Sequence, residues 1–377
     1  MTRCIGRFTV DGSDSLEEML GQTCCKAAQS VRQAIPANLL LGVVLGGGYG
    51  RGEGGVLRLE GSDYPYNDIE YYVFLASGSR NNCQRYGKEL EKAAHQMSQE
   101  AGVEVEFKVL TWSQLKHAGP SMFYYDLAHG HKVIYGNLEA DLSNSHHGRM
   151  PLPRSEASRL LLNRCSGLLF SLERLQRPEF TTDDSDFVAR NIAKLQLAVG
   201  DTFLVHHGLY HSKASTRHER LANRWEIPAE WVEAHKLALE FKLHPYRSTE
   251  THQGLTWKFA DAAKLARHAW LWSESRRLNR SFASPEEYAF APCDKCPEQR
   301  PLRNIAVNLK VFGLRSLATE PCRYPRNRLY NALPLLLWPP EHASHRNNCF
   351  LQNQLVASDS TFSGLIKSYV RLWERFR

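Results

Sequence analysis

No stretch of this 377-residue chain approaches the roughly 20 apolar residues needed to cross a bilayer. The two richest runs, 39–45 and 332–338, are short and stop at glycine or proline. The N-terminal region carries Asp11, Asp14, Glu17 and Glu18, where a signal peptide needs an apolar core. These features predict a cytoplasmic protein without a membrane partner. There is no compact disulfide framework either: nine cysteines, an odd number, are scattered along the chain, which suits reduced thiols. Cys293 and Cys296 form the one C-x-x-C, and neither Cys322 nor Cys349 follows at zinc-site spacing. A structural zinc site takes about four ligands, so a plain loop is expected there. Internal repeats and low-complexity tracts are also lacking. A concentrated basic footprint is missing as well. The net charge of +7 is spread along the chain, densest at Arg276, Arg277 and Arg280 and at Lys367, Arg371, Arg375 and Arg377. Such a surface favours anionic ligands, but nucleic acid is not the favoured partner.

What is present is enough for more than one core, with 42% hydrophobic residues. Leu16, Met19, Leu20, Cys24, Ala27, Ala28 and Val31 recur at helical spacing before Pro36. The next hundred residues read as strand, glycine turn, strand, helix and strand. The strands are 39–45, 66–76 and 103–110; the helix spans 82–100, with Gly102 as its cap. From Pro151 and Pro153 onward the pattern turns helical, over 155–175, 186–207, 229–243, 255–278 and 363–376, with a weaker run at 330–338 interrupted by Pro334. Ser185 or Asp186 is the expected cap of the second of these. The expected organisation is a helical lead (1–37), a catalytic domain (38–150), an α-helical substrate or partner domain (151–280) and a C-terminal helical extension (281–377).

The chemistry concentrates in Gly46-Gly47-Gly48-Tyr49-Gly50-Arg51-Gly52-Glu53-Gly54-Gly55 and in Asn67-Asp68-Ile69-Glu70. Asp68 and Glu70, two apart on a strand, leave the same face and share one site. Two such carboxylates repel unless a cation lies between them. Mg²⁺ suits them, with Mn²⁺ as an alternative, because it binds through one or two carboxylates plus substrate phosphates. Glu104 or Glu106 on the third strand supplies a further carboxylate, which makes a two-metal arrangement conceivable. The glycines let backbone N–H groups approach phosphates as an anion nest, with Arg51 nearby as a counter-charge.

These residues resemble the nucleotidyltransferase superfamily that includes DNA polymerase beta. Its pattern is a glycine pair after a buried strand, D-x-[DE] on the next strand and a third carboxylate later. The segment from Gly47 to Glu53, which carries Tyr49, is similar to that of the bacterial uridylyltransferases acting on the signalling protein PII. Glutamine synthetase adenylyltransferases belong to the same superfamily. The resemblance covers residues 38–136, including Val133-Ile134-Tyr135-Gly136. The loop from Gly48 to Asp68 is longer than usual, and Asn67 stands where serine is common. What the resemblance implies is an α+β fold with a nucleotidyltransferase-like mixed sheet, followed by a helical domain that 160–224 also resembles, around Lys194, Gly200, Asp201 and Tyr210. It implies a nucleotide site at Gly47, Gly48, Tyr49 and Arg51, metal ligands Asp68, Glu70 and Glu106, and catalytic carboxylates Asp68, Glu70 and Glu106 or Glu104. The implied activity is transfer of a nucleoside monophosphate from an NTP, ATP or UTP, to a hydroxyl of a protein or small molecule. No HD motif follows the core, so the PII-modifying activity itself is not carried over.

Two other readings compete. A non-catalytic nucleotide-binding module acting on a partner protein fits the same glycines. Gly50-x-Gly52-x-x-Gly55 also satisfies the dinucleotide fingerprint of an NAD-binding Rossmann enzyme, but that motif needs an immediate helix, and 56–61 makes a poor one. In the helical region Asp201, His206, His207 and His211 are acceptor-pocket candidates for which solvated helix ends are the simpler expectation. Trp225, Trp231, Trp257, Trp270 and Trp272 are expected to pack between helices. Asp126, beside Tyr124 and Tyr125, has no assigned role.

Overall fold

The computed structural model describes residues 6–78, 80–138, 142, 151–298, 300–314, 320–340 and 345–376. Residues 1–5 of the expected lead, most of the stretch before the expected boundary at 150, and Arg377 of the basic run lie outside them. The chain is α+β, mostly helical, with one small mixed sheet. Its packing divides into two compact units, one of residues 1–153, 208–224 and 236–246, the other of 154–207, 225–235 and 247–377.

In the first unit, α1 (Asp14–Ala34) starts where the Ser13 side chain accepts from Leu16 N–H, and it buries Leu16, Leu20, Cys24, Ala27 and Val31. Then come β1 (Leu40–Leu45), a single helical turn α2 (Gly47–Gly50), β2 (Val56–Leu59), β3 (Ser62–Pro65) and β4 (Ile69–Leu75). They are followed by α3 (Arg80–Ala101), β5 (Val105–Thr111), α4 (Trp112–His117), α5 (Met122–His129) and β6 (Lys132–Gly136). The main sheet has the order β5-β4-β1-β6, with β4 parallel to β5 and β1 antiparallel to both of its neighbours. Two layers cover it. On one face Val43, Leu45, Ile69, Tyr71, Val73 and Val105 join the buried stripe of α1 and residues Tyr86, Leu90 and Met97 of α3. On the other, Val44, Tyr72 and Phe74 pack with Leu115 and Leu127.

The long loop expected over 54–66 is instead a β-hairpin, β2 on β3, paired from Val56–Pro65 to Leu59–Ser62. Alternation in this short segment is weak, and Glu60 and Gly61 both turn at positive φ. The hairpin ends at Pro65 and β4 starts at Ile69 rather than at Tyr66. Asn67 closes the hairpin base, its Oδ1 accepting from Gly55 N–H at 3.0 Å. The segment after the fingerprint glycines is thus a strand, where a dinucleotide fold needs a helix.

The second unit contains α6 (Arg154–Leu175) and α7 (Thr182–His206). Next along the chain are α8 (Ala214–Ala222), which belongs to the first unit, and α9 (Ala229–Leu243), whose last turns from residue 236 also do. The remainder is α10 (His252–Leu278), α11 (Pro285–Phe290), α12 (Pro301–Phe312), α13 (Arg326–Leu337), α14 (His345–Leu355) and α15 (Phe362–Phe376). Helix α7 starts earlier than expected. Thr181 and Asp184 form a reciprocal capping box there, which leaves Ser185 and Asp186 inside the helix. Pro334 does not interrupt α13, because every residue of that helix is buried and burial outweighs one missing N–H. Trp231 and Trp270 are packed as expected, but Trp225 and Trp257 are 94% and 66% exposed, so packing does not account for those two.

Candidate active site

The strand register assembles the site. β1 ends at Leu45 opposite Tyr71, so the next residue, Gly46, lies beside Glu70 and donates its N–H to the Glu70 carbonyl at 2.9 Å. Gly47 has φ +62°, and a Cβ there would sit 2.9 Å from Glu70 Oε2. A side chain at 47 would be both strained and pressed onto that carboxylate. The glycine segment proves to be one turn of helix rather than an open loop, with the N–H groups of Gly50, Arg51 and Glu53 bonded to the carbonyls of Gly46, Gly47 and Gly48. Gly54 is fixed by a different neighbour, since a Cβ there would come 2.0 Å from the Tyr49 ring.

Tyr49 itself is fully buried. Its hydroxyl donates to the Gly55 carbonyl at 3.1 Å and accepts from Tyr66 N–H at 3.0 Å. Burial pushes the phenol up to about 12. The Tyr49 side chain, expected at the nucleotide site, is instead part of the core. Arg51, the expected counter-charge, pairs with Asp126 Oδ2 at 3.6 Å, and Asp126 in turn accepts from Tyr210 Oη at 3.2 Å. Asp126 thus acquires a structural partner that its sequence neighbours gave no sign of.

β4 and β5 run parallel with Glu70 opposite Glu106. Ile69 N–H donates to the Glu104 carbonyl at 2.8 Å, which sets Glu104 level with Asp68. Glu70 and Glu106 therefore face each other near the start of β4 and β5, while Asp68 and Glu104, both expected on strands, stand one residue before these two strands at the same end of the sheet. Asp68 and Glu104 are exposed, and Glu70 and Glu106 are half-buried. A groove of about 610 Å³ runs along β5, lined by Glu91, His95 and Ser98 of α3 and by Glu104, Glu106 and Phe107.

Between Glu70 and Glu106 stands Lys108. Its Nζ lies 2.5 Å from Glu70 Oε1 and 2.9 Å from Glu106 Oε2, and 5.6 Å from the centre of the Tyr72 ring. Burial opposes its charge, but the hydrogen bonds to Glu70 and Glu106 hold its pKa above the usual lysine value. Burial and the adjacent Glu70 carboxylate push the Tyr72 phenol up. Lys108 was visible in the sequence only as one charged position on the alternating face of the third strand. Among the described residues no group of three or more His, Cys, Asp or Glu side chains is gathered as for a metal. The oxygen donors at Asp68 and Glu70 suit one hard divalent cation; the space shared by Glu70 and Glu106 is taken by the ammonium.

Two further residues brace the glycine turn. Glu53, buried, accepts from the N–H groups of Ala214 and Ser215 at 2.7 and 3.0 Å and from Ser215 Oγ at 2.6 Å. It is an acidic cap on α8 supplied from 161 residues earlier in the chain. Burial opposes its ionisation, yet Lys242 and these donors hold the carboxyl below the usual range. Lys242 donates to the Glu53 carbonyl at 2.9 Å. Burial, then the positive Arg51, bring Lys242 down to about 8. Neither contact carries a local sequence signal, because both partners are remote.

In the second unit, Asp201 meets His235 at 3.3 Å and is buried. His206, expected as a solvated helix end, is buried and bonds Ser273 Oγ through Nε2 at 2.8 Å. Burial, then Arg154, brings it down to about 4. Only His207 is exposed as foreseen, and His211 is half-buried. All described cysteines are free, with Cys296 buried, and the Cys293/Cys296 segment is a loop.

No protein-family model matches the chain, and no curated protein matches it significantly.

Proposed function

We propose that the chain is a nucleotidyltransferase that moves a nucleoside monophosphate from an NTP to an acceptor hydroxyl and releases pyrophosphate. One observation carries this reading. The glycine turn is tied to Glu70 by the Gly46 N–H bond, with room beside the Glu70 carboxylate only for a glycine at 47, at the end of the sheet where Asp68 and Glu104 stand just before β4 and β5 and Glu106 lies opposite Glu70. The glycine turn and the carboxylates are thereby neighbours, which supports reading the turn as a phosphate cradle. The order glycine turn, D-x-E strand and acidic third strand, on a mixed sheet, supports the nucleotidyltransferase-like form of the α+β fold.

In this reading the backbone N–H groups at Gly47 and Gly48 hold triphosphate oxygens, and Asp68 and Glu70 hold a divalent cation, Mg²⁺ or Mn²⁺. When bound, the cation offsets charge on the transferring phosphoryl group and the leaving pyrophosphate. Glu104, exposed and level with Asp68, accepts the proton of the acceptor hydroxyl. Glu106 stays engaged by Lys108. The groove along β5, which Glu104 and Glu106 line, is the acceptor's path. The same Lys108 pairing favours a second reading, nucleotide binding without turnover by a regulatory module.

Incubating the protein with each α-labelled NTP, Mg²⁺ and a cell extract separates the two. Transfer of label to a protein or small molecule, with release of pyrophosphate, is expected. Nucleotide binding with no transfer from any of the four NTPs would favour the module and contradict the enzyme.

A further inference from the structure

We propose that Lys108 takes the place of the second metal ion, so that this site works with a single divalent cation. The inference rests on the nucleotidyltransferase reading and concerns how that site neutralises its charge. In a two-metal arrangement the ion shared by a D-x-E carboxylate and the third carboxylate would lie between Glu70 and Glu106. Here these residues are directly opposite in the parallel register, and the Lys108 ammonium touches both at 2.5 and 2.9 Å. Lys108 reaches them because it is two residues beyond Glu106 on the same face and lies opposite Tyr72. Its ammonium lies 5.6 Å from the centre of the Tyr72 ring.

The position between Glu70 and Glu106 already holds one cationic group, the Lys108 ammonium. A second divalent cation would have to share Glu70 and Glu106 with an ammonium already in contact with both, and like charges at that separation repel strongly. Lys108 is a positioning residue: it holds the two carboxylates parallel and fixes the charge of the site before nucleotide arrives. The remaining cation is then the one held by Asp68, Glu70 and the triphosphate. A fixed ammonium also needs no capture from solution, so the site depends on metal concentration through one binding step rather than two.

The test is equilibrium dialysis of the full chain with radioactive Mn²⁺ and a labelled NTP analogue that cannot release pyrophosphate, counting the ions and nucleotides retained by the protein. The wild type is expected to retain one Mn²⁺ per nucleotide. Lys108→Met should retain two, and Lys108→Arg, which keeps the charge, should retain one. Lys108 is partly exposed at a sheet edge, so these variants are expected to fold, which a melting curve checks. Two ions in the wild type, or one in Lys108→Met, would overturn the inference while leaving the nucleotidyltransferase reading in place. Retention of nucleotide that ignores Mn²⁺, or no retention at all, would remove both.

Discussion

Two carboxylate–cation clusters in this chain differ chiefly in how far they are buried. In the first unit, Glu70, Glu106 and Lys108 stand at the open end of a sheet, with 27%, 37% and 41% of their side chains exposed. In the second, Glu274 is 1% exposed and is closed in by Arg277 at 2.5 Å, Tyr288 Oη at 2.8 Å and the Ser158 hydroxyl. Nearby, Lys295 is wholly buried, with its ammonium on the Ala289 carbonyl at 3.0 Å and on Asn331. The Glu274 carboxylate is shut off from solvent, and both its oxygens are bonded within the fold. The Glu70 cluster stays partly open to solvent around one shared ammonium. A buried pair is costly to break, and an exposed one is cheap.

The largest effect is therefore expected in the second unit. Glu274→Ala leaves Arg277 and the Tyr288 hydroxyl without their partner in the core, and should cost about 3–5 kcal/mol, read as a large drop in melting temperature or a loss of folded protein. A change of less than about 1 kcal/mol would show that this cluster is as loosely held as the exposed one.

A smaller effect comes from His206, which lies in the same unit. Its pKa falls to about 4 in the fold, against 6.5 when unfolded. Between these values the unfolded chain binds a proton that the folded chain refuses, so stability falls as pH drops from about 6.5 to 4 and is flat, for this group, above 6.5. The loss is on the order of 2 kcal/mol once partial solvent screening is allowed for. His206→Gln, which keeps a polar group on Ser273, should flatten that part of the denaturation profile. An identical slope in both proteins would contradict the assignment.

Much of the scaffold was legible in the sequence because burial on both faces leaves a plain mark. The runs of β1 and β4, and the helical stripe of α1, fall where apolar spacing puts them. The opposition of Glu70 and Glu106 is set by the parallel register, whereas Asp68 and Glu104, expected on the strands, stand just before β4 and β5, so alternation alone does not set their faces. What sequence did not show was contact at a distance. The buried Tyr49 reads like a ligand residue because its glycine neighbours suggest a loop, and only the hairpin packed beside it makes it core. Glu53 reads as part of a motif, yet it caps a helix far along the chain. Lys108 was one charge in an alternating strand, and its meaning depends on the register that sets Glu70 against Glu106. His206 sits at a helix end, where solvent is the usual neighbour, and tertiary packing overrode that expectation.

The smallest structural effect and the largest chemical one should coincide at Asp68, which is exposed at the start of β4. The most direct test of the account compares wild type and Asp68→Asn for Mg²⁺-dependent pyrophosphate release from NTP in the presence of a cell extract that supplies the acceptor, with melting curves of both. The account predicts release reduced at least about a thousandfold, an electrostatic loss of roughly 4 kcal/mol, with the melting temperature within a degree or two. Undiminished release in Asp68→Asn at an unchanged melting temperature would contradict it.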